Sequence, residues 1–428
     1  MIDSLFDVNG LDLLSGFHRL WVGLSGGLDS VVLLHHLAHF PQLKNRLSAV
    51  HIHHGLNVHA DSWRSHCQAL CDGLSIPLTV HQVEFNRICN IEEHARIARY
   101  QVFEALLGEH DALVLAHHQD DQAETVLLQL CRGAGITGLA AMPSVKPLGK
   151  GVLVRPLLHQ TRVNLAAYSK THQLAWIDDD SNEDLKFSRN YIRHEIMPLL
   201  RERWPGIANT LARTAQHCQQ TQGNLEALAR LDCDNLAMNQ TTLSLACLKT
   251  TSSDRIANVL RFWLQNNGIK APSMNTFNRL ITEVVFSRDS ASPCVEWDET
   301  IVRRYQQTLY ILKKRPLFYQ SVIRWFNFPE ALRLENEVYL HAFTTADKGL
   351  LVPSGRDVQV RYRQGGEVFY WRGQTKKLKK LFQEWHVPPW IRDTVPLVYI
   401  NGDLAAVVGF AIGDRYLGLD FNFTDNID

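Results

Sequence analysis

The chain has 428 residues, 45% of them apolar and 21% charged, with a formal net charge of zero. That length is too great for one ordinary domain and asks for two or three. No run of about 18 apolar residues and no basic-then-apolar start is present, so neither a membrane span nor a secretory leader is expected, and the cytoplasm is the expected compartment. Eight scattered cysteines with no CxxC read as reduced thiols, not as a disulfide framework. Cys67 and Cys71, four apart on an expected helix, read as buried free thiols.

Short apolar runs alternate with longer amphipathic ones through the first half. Strands are expected at Leu20–Leu24, Leu47–Ile52, Leu78–Val83, Ala112–Ala116 and Val152–Val154. Helices are expected at Ser30–Phe40, Ala60–Leu74, Ile91–Leu107, Asp120–Cys131 and Thr161–Leu174. This rhythm predicts an α/β fold, a doubly wound parallel sheet with helices on both faces. Such sheets bind ligands beyond the carboxyl ends of their strands. The chemistry is therefore expected just after Leu24, Ile52 and Ala116. Beyond Pro205 the pattern changes: Ile207–Leu248, Arg255–Leu264 and Ser273–Phe286 read as helical, Cys294–Leu312 as paired strands, and the rest as short strands and turns. The expected domains are an N-terminal α/β domain (1–205), a mainly helical middle (206–317) and a small α+β C-terminal domain (318–428).

The densest signal follows the first strand. Ser25-Gly26-Gly27-Leu28-Asp29-Ser30 joins an apolar strand directly to an apolar helix. Paired glycines let a backbone approach a ligand closely, and N–H groups at a helix start favour phosphate. Asp29 is wrong for a simple anion cradle, because a bare carboxylate repels phosphate. It makes sense as a ligand for Mg²⁺ bridging carboxylate and phosphate oxygens. The alternative is a glycine turn with Asp29 and Ser30 capping the helix. Neither GxxxxGK[ST] nor GxGxxG is present. SGGxDS between strand and helix resembles the PP-loop of the ATP pyrophosphatases, which cleave ATP between the α and β phosphates.

Three further constellations lie at the expected ligand end. His51-Ile52-His53-His54-Gly55-Leu56 ends the second strand and lacks the partner ligands of a zinc site. Arg96 and Arg99 share one helix face, as phosphate-binding guanidiniums or as partners of Glu92 and Glu93. Asp121 and Glu124 share another, as helix-start acids or as a site for an ammonium or a second Mg²⁺. Together HHGL, ARxxRY and AHHxDDxxET resemble the tRNA(Ile)-lysidine synthetase family within the PP-loop superfamily, over roughly Trp21 to Pro198.

That resemblance implies ATP-dependent ligation of L-lysine to the wobble cytidine of the isoleucine tRNA with a CAU anticodon, through an adenylated cytidine. It implies Ser25, Gly26, Gly27, Leu28, Asp29, Ser30, Ile52 and His54 around ATP, Asp29 on Mg²⁺, and Arg96, Asp121 and Glu124 in the reaction. Asp121 and Glu124 are the expected holders of lysine or magnesium, and Arg189 and Arg193 are expected on phosphate or RNA, with Arg155 beside them. A PP-loop thiolase, the nearest rival, would need a cysteine pair or CxxC that is not visible. No obligate protein partner is expected.

The formal neutrality hides two basic stretches. Residues 301–324 carry six Lys or Arg and no acid, and 356–392 carry nine against three acids. A basic face on a neutral chain suits a polyanion. Leu378-Lys379-Lys380-Leu381 and Val387-Pro388-Pro389-Trp390-Ile391-Arg392 resemble the family's C-terminal tRNA-binding domain. Leu378, Leu381, Phe382 and Trp385 fall on one helix face, which leaves Lys376, Lys379 and Lys380 pointing outward to tRNA phosphates.

Overall fold

The computed structural model describes residues 5–6, 8–53, 55, 59–84, 91–178, 183–233, 236, 238–248, 251–288, 292–314, 322–334, 339–344, 349–352, 357–418 and 421–425. The chain forms two compact units, 1–231 and 232–428.

In the first unit the chain runs α1 (Val8–Ser15), β1 (Arg19–Gly23), α2 (Leu28–Ala38), α3 (Pro41–Lys44), β2 (Leu47–His53), α4 (Ala60–Leu74), β3 (Leu78–Gln82), α5 (Ile91–Leu106), β4 (Asp111–Val114), α6 (Gln119–Cys131), α7 (Ile136–Leu139), β5 (Val145–Leu148), β6 (Gly151–Val154) and α8 (Arg162–Thr171). A continuous helical run follows: α9 (Ser188–Tyr191), a π-helical turn (Ile192–Ile196) and α10 (Met197–Arg203), then the long α11 (Ile207–Asp232). The sheet order is β3-β2-β1-β4-β6-β5. The first five of these pair in parallel, and β5 closes the edge antiparallel to β6.

The strands read as unbroken apolar runs because both faces are covered. Leu20, Val22, Ala49, Ala112, Val114 and Val154 pack with α2, α4 and α8. Their neighbours Trp21, Val50, Ile52, Leu113 and Leu153 pack on the other side with Ala98 and Phe103 of α5. Successive side chains thus enter opposite cores, as a pleat requires. β1 continues to β2 on one side and lies beside β4 on the other, so the strand order reverses there, and a ligand crevice opens at such a reversal. The apolar rhythm placed β1 to β4, β6, α2, α4, α5, α6 and α8 to within about three residues. It missed β5, whose Lys146 and Pro147 break the apolar run at an exposed edge.

Between α2 and α8 sits a ring cluster. The Tyr168 hydroxyl lies 3.1 Å from His35 Nδ1 and 3.4 Å from His36 Nδ1, and His39 and His172 stack nearby. Burial first, then the other histidines, pushes His35 and His36 down to about 4. Cys67 and Cys71 are free and buried as expected, and burial raises their thiols to about 12 and about 11.

The second unit begins with β7 (Thr242–Ser244), a 3₁₀ turn (Leu245–Leu248), α12 (Ser253–Asn266), α13 (Met274–Arg279) and a π turn (Leu280–Val285), followed by β8 (Cys294–Trp297), β9 (Thr300–Tyr305) and β10 (Thr308–Lys313). The sheet order β7-β10-β9-β8 is antiparallel throughout. The helical reading of Ile207–Leu248 therefore stops at Asp232. Asn239 turns the chain at φ 63°, and β-branched Thr241 and Thr242 pair with β10 instead. The expectation of reduced thiols throughout is also corrected. Cys233, just past α11, and Cys247, in the 3₁₀ turn, are brought to a Cα separation of 5.4 Å and are joined as a disulfide. The remainder is β-rich. One five-stranded sheet runs Ile323–Arg324, Val358–Arg361, Leu397–Ile400, Asp403–Val407, Ala411–Ile412. A second runs Leu332–Arg333, Tyr339–Thr344, Phe421–Asp425, Gly349–Leu350, Leu417–Gly418. A hairpin of Val368–Trp371 and Gln374–Lys377 leads into α14 (Leu378–Glu384), and α15 (Pro389–Arg392) follows.

Candidate active site

The loop 24–27 leaves β1 at the reversal point and enters α2. Gly26 has φ 91°, a region closed to side chains at ordinary cost, and an added Cβ would lie 3.2 Å from Ile177 and 3.3 Å from Cys67. The Ile177 N–H donates to Gly26 O at 2.9 Å, which holds the loop from outside. Inside it, the Ser25 and Ser30 hydroxyls meet at 3.0 Å, Ser30 Oγ donates to Gly27 O, and the Gly27 N–H donates to Ser25 Oγ. Gly27 is the N-cap of α2, and no side chain caps the helix start. Ser30 Oγ accepts from the Ser25 N–H at 3.2 Å, ahead of the helix, so the start of α2 keeps its affinity for an anion. Asp29 Oδ1 is buried without a hydrogen-bond partner, while Oδ2 lies 3.6 Å from His118 Nε2. A buried carboxylate oxygen left bare fits a cation ligand.

The second half of the site grows from β4. His118 is the N-cap of α6 and forms a reciprocal capping box with Asp121: the Asp121 N–H donates to His118 Nδ1, and the His118 N–H donates to Asp121 Oδ2 at 3.0 Å. The ring of His118, 1% exposed, therefore stands between Asp29 and Asp121, at 3.6 Å and 3.5 Å. Burial opposes its charge, but Asp29, Asp121 and Asp120 outweigh burial and raise its pKa.

Asp121 and Glu124 point from one face of α6 toward α9 and the π turn. Asp121 Oδ1 accepts from Arg189 at 2.8 Å and from Arg193 at 3.0 Å. Glu124 accepts from Arg189 Nε at 3.0 Å, and from Arg193 Nε and NH2 at 2.7 and 2.9 Å. Burial pushes the Asp121 carboxyl up, yet His118, Arg189 and His117 and the His118 N–H together hold it down at about 2. Asp120, next along, is committed elsewhere: it accepts from Arg201 and from the Arg162 N–H.

Arg155 is buried, and its guanidinium donates to His117 Nδ1 at 3.2 Å and to Pro143 O at 2.8 Å. His117 is pushed down to about 3, first by burial and then by Arg155, Arg189 and Arg99 against the opposing pull of Asp121. Arg96 is exposed and lies over the Tyr100 ring at 5.2 Å; burial, and after it Arg96, lowers the pKa of Arg155. Ile52 is buried at the end of β2, and His54 lies outside the described residues.

The structure thus brings together Asp29, the paired acids Asp121 and Glu124, and Arg189 and Arg193. It adds His118 as their connector and Arg155 as a buried brace for His117. His118 stands in the AHHxDDxxET stretch, but its distance to Asp29 has no sequence signature. In the second unit Leu378, Leu381 and Phe382 are buried and Lys379 and Lys380 are exposed, as the helical spacing requires. Lys376 differs: it lies on the preceding strand, half-buried, and pairs with Glu384 at 2.9 Å.

Family models describe these parts. A PP-loop domain matches residues 5–200, a TilS substrate binding domain matches 243–310, and a TilS substrate C-terminal domain matches 358–420. The first unit is a PP-loop domain of the ATP-using kind. The tRNA(Ile)-lysidine synthase of Legionella pneumophila (strain Paris) is 51% identical over 94% of this chain and 94% of its own. Its counterpart from Coxiella burnetii is 39% identical over 92% of this chain and 89% of its own. The chain belongs to the tRNA(Ile)-lysidine synthase family, ATP-using ligases that modify tRNA.

Proposed function

We propose that the chain joins L-lysine to the wobble cytidine of the isoleucine tRNA with a CAU anticodon, and so changes both its codon and its amino acid from methionine to isoleucine. The observation that carries this reading is the bare carboxylate oxygen of Asp29, facing across His118 to the acids of α6. A cytidine carbonyl oxygen is a poor leaving group. Transfer of AMP from ATP to it releases pyrophosphate and creates a good one. The uncapped start of α2 and the hydroxyls of Ser25 and Ser30 receive the phosphates, and Ile52 and His54 border the adenine. Asp29 is the residue that would hold Mg²⁺, which when bound supplies neutralising charge for the departing pyrophosphate.

In the second step the lysine ε-amine attacks the activated ring carbon and AMP leaves. The amine must be neutral to attack. Asp121 and Glu124 receive it as an ammonium, and Asp121 is the carboxylate that would orient it and take its proton. Arg96 faces the reacting nucleotide. Lys379 and Lys380, with Lys376 at the edge, hold tRNA phosphates without reading bases. On this reading residues 1–205 carry the chemistry, 206–317 support the substrate, and 318–428 hold the tRNA, all in the cytoplasm. The test is pyrophosphate release from ATP on addition of unmodified tRNA(Ile), with and without lysine. Release that needs the tRNA but not lysine supports the order given. Release without tRNA, or none at all, removes it.

A further inference from the structure

Asp121 and Glu124 are not open to a ligand. Two guanidiniums already occupy them, through the five hydrogen bonds described above. The carboxylates are the buried partners, 11% and 4% exposed, whereas Arg189 and Arg193 are 30% and 27% exposed. The cations therefore sit on the solvent side of the anions. Two carboxylates face two guanidiniums, so the charge of these four side chains already balances. A lysine ammonium added to it would leave one uncompensated positive charge in a poorly solvated place, which is costly. A cation must leave as lysine enters, and it needs an anion to go to.

We infer that Arg189 and Arg193 act as placeholders for the substrate amine: lysine takes a guanidinium's position on Asp121 and Glu124, and the displaced guanidinium moves to a phosphate of the bound nucleotide. This rests on the reading of Asp121 and Glu124 as the lysine site. An arginine fork matches a phosphate as well as it matches a carboxylate, so the move costs no hydrogen-bonding geometry. The anion is near, because the His118 ring lies 3.6 Å from Asp29 at the PP-loop and 3.5 Å from Asp121, which Arg193 holds at 3.0 Å. Arg193 stands on the π turn Ile192–Ile196, four residues from Arg189 and on the same side of the run. Turns of this kind recur at functional sites. The exchange makes lysine and nucleotide binding mutually favourable, and the coupling must be the same in both directions. Lysine is thereby admitted mainly when a phosphate is present to receive the arginine.

The test is calorimetric titration of L-lysine into the full chain, with and without a non-hydrolysable ATP analogue. The analogue is expected to tighten lysine binding by about tenfold. Arg193→Gln is expected to tighten lysine binding in the absence of the analogue and to shrink the analogue's effect to about twofold or less. Arg193→Lys keeps the charge but loses the fork, and it shifts both quantities in the same direction by less. It carries the test if the glutamine variant does not fold. Lysine affinity indifferent to the analogue, and unchanged or weakened in both variants, overturns the exchange. Glu124→Gln separates the two layers. If it leaves lysine binding intact, the lysine site itself is misassigned. If it weakens lysine binding while the Arg193 variants do not respond as stated, only the exchange is lost.

Discussion

The PP-loop and the acid–arginine cluster close the same end of one sheet with opposite habits. At the PP-loop, polar groups are left open: Asp29 Oδ1 is buried and bare, and α2 begins without a cap. At α6, both carboxylates are buried and bonded to guanidiniums. An open polar group marks where a ligand adds, and a satisfied one marks where a ligand must displace something. Substitutions in the two places should therefore behave differently.

The largest effect is expected at Asp29. Asp29→Asn is nearly isosteric and breaks no hydrogen bond at Oδ1, so the melting temperature should hardly move. Pyrophosphate release should fall by about a hundredfold or more. Near-normal release would remove the magnesium role and with it half of the contrast. At the satisfied cluster, Glu124→Gln should instead act on both stability and lysine. It removes a charge that two guanidiniums need. The lysine KM should rise by about tenfold or more while the ATP KM stays within about twofold. Equal losses for both substrates would move Glu124 to the metal side.

Gly26→Ala tests the loop itself. The residue must adopt φ 91° and place its Cβ against Ile177 and Cys67. A destabilisation of about 1–3 kcal/mol is expected, with a raised ATP KM and, at saturating ATP, an unaffected lysine KM. A change confined to lysine would mean that the two halves are not separate.

The PP-loop half was legible in the sequence and most of the cluster was not. Leu20 to Leu24 reads as a strand because both sheet faces are covered, and the glycines and Asp29 follow it without a gap. Loop and helix lie within a few residues, so spacing alone fixes their geometry. The pairing of Asp121 and Glu124 with Arg189 and Arg193 spans 65 to 72 residues, and the approach of His118 to Asp29 crosses between strands. Helical spacing tells which side chains share a face but not what faces them. The same limit explains Lys376, whose helical period was right while the helix starts only at Leu378, and the joining of Cys233 to Cys247 across a turn that composition read as helix.

Acid should weaken the first unit gradually. Unfolded histidine takes a proton near 6.5, whereas half-buried His35 and buried His36 resist until about 4 and His117 until about 3. Between those values the unfolded chain binds more protons, so the stability these groups give is complete above about 6.5 and is lost as pH falls toward 4. Asp121 adds a similar loss lower down, between its ordinary 3.8 and about 2. Thermal melts from about pH 7 to about pH 4 should show a steady fall in the midpoint. A flat profile would place these imidazoles in solvent.

The smallest effect is expected on α14 of the second unit, where the charges of Lys379 and Lys380 are solvated. Lys379→Glu with Lys380→Glu should weaken full-length tRNA by a few fold and lower the salt dependence of its binding. Activity on a short anticodon stem-loop should not change. An unchanged ratio between the two substrates at low and high salt would take α14 out of RNA recognition.

The π turn at Ile192–Ile196 has one more consequence. It slips an extra residue into an otherwise continuous helix between Arg189 and Arg201. Each helical residue advances the direction of its side chain by about 100°. Arg189 and Arg193 look toward Asp121 and Glu124, and Arg201 looks toward Asp120. All three reach α6 only because the insertion resets the phase between them. Were the turn to straighten into regular helix at unchanged length, Arg201 would swing by about 100° off its partner while Arg189 stayed in place. The chain would keep every charged side chain and lose their common aim.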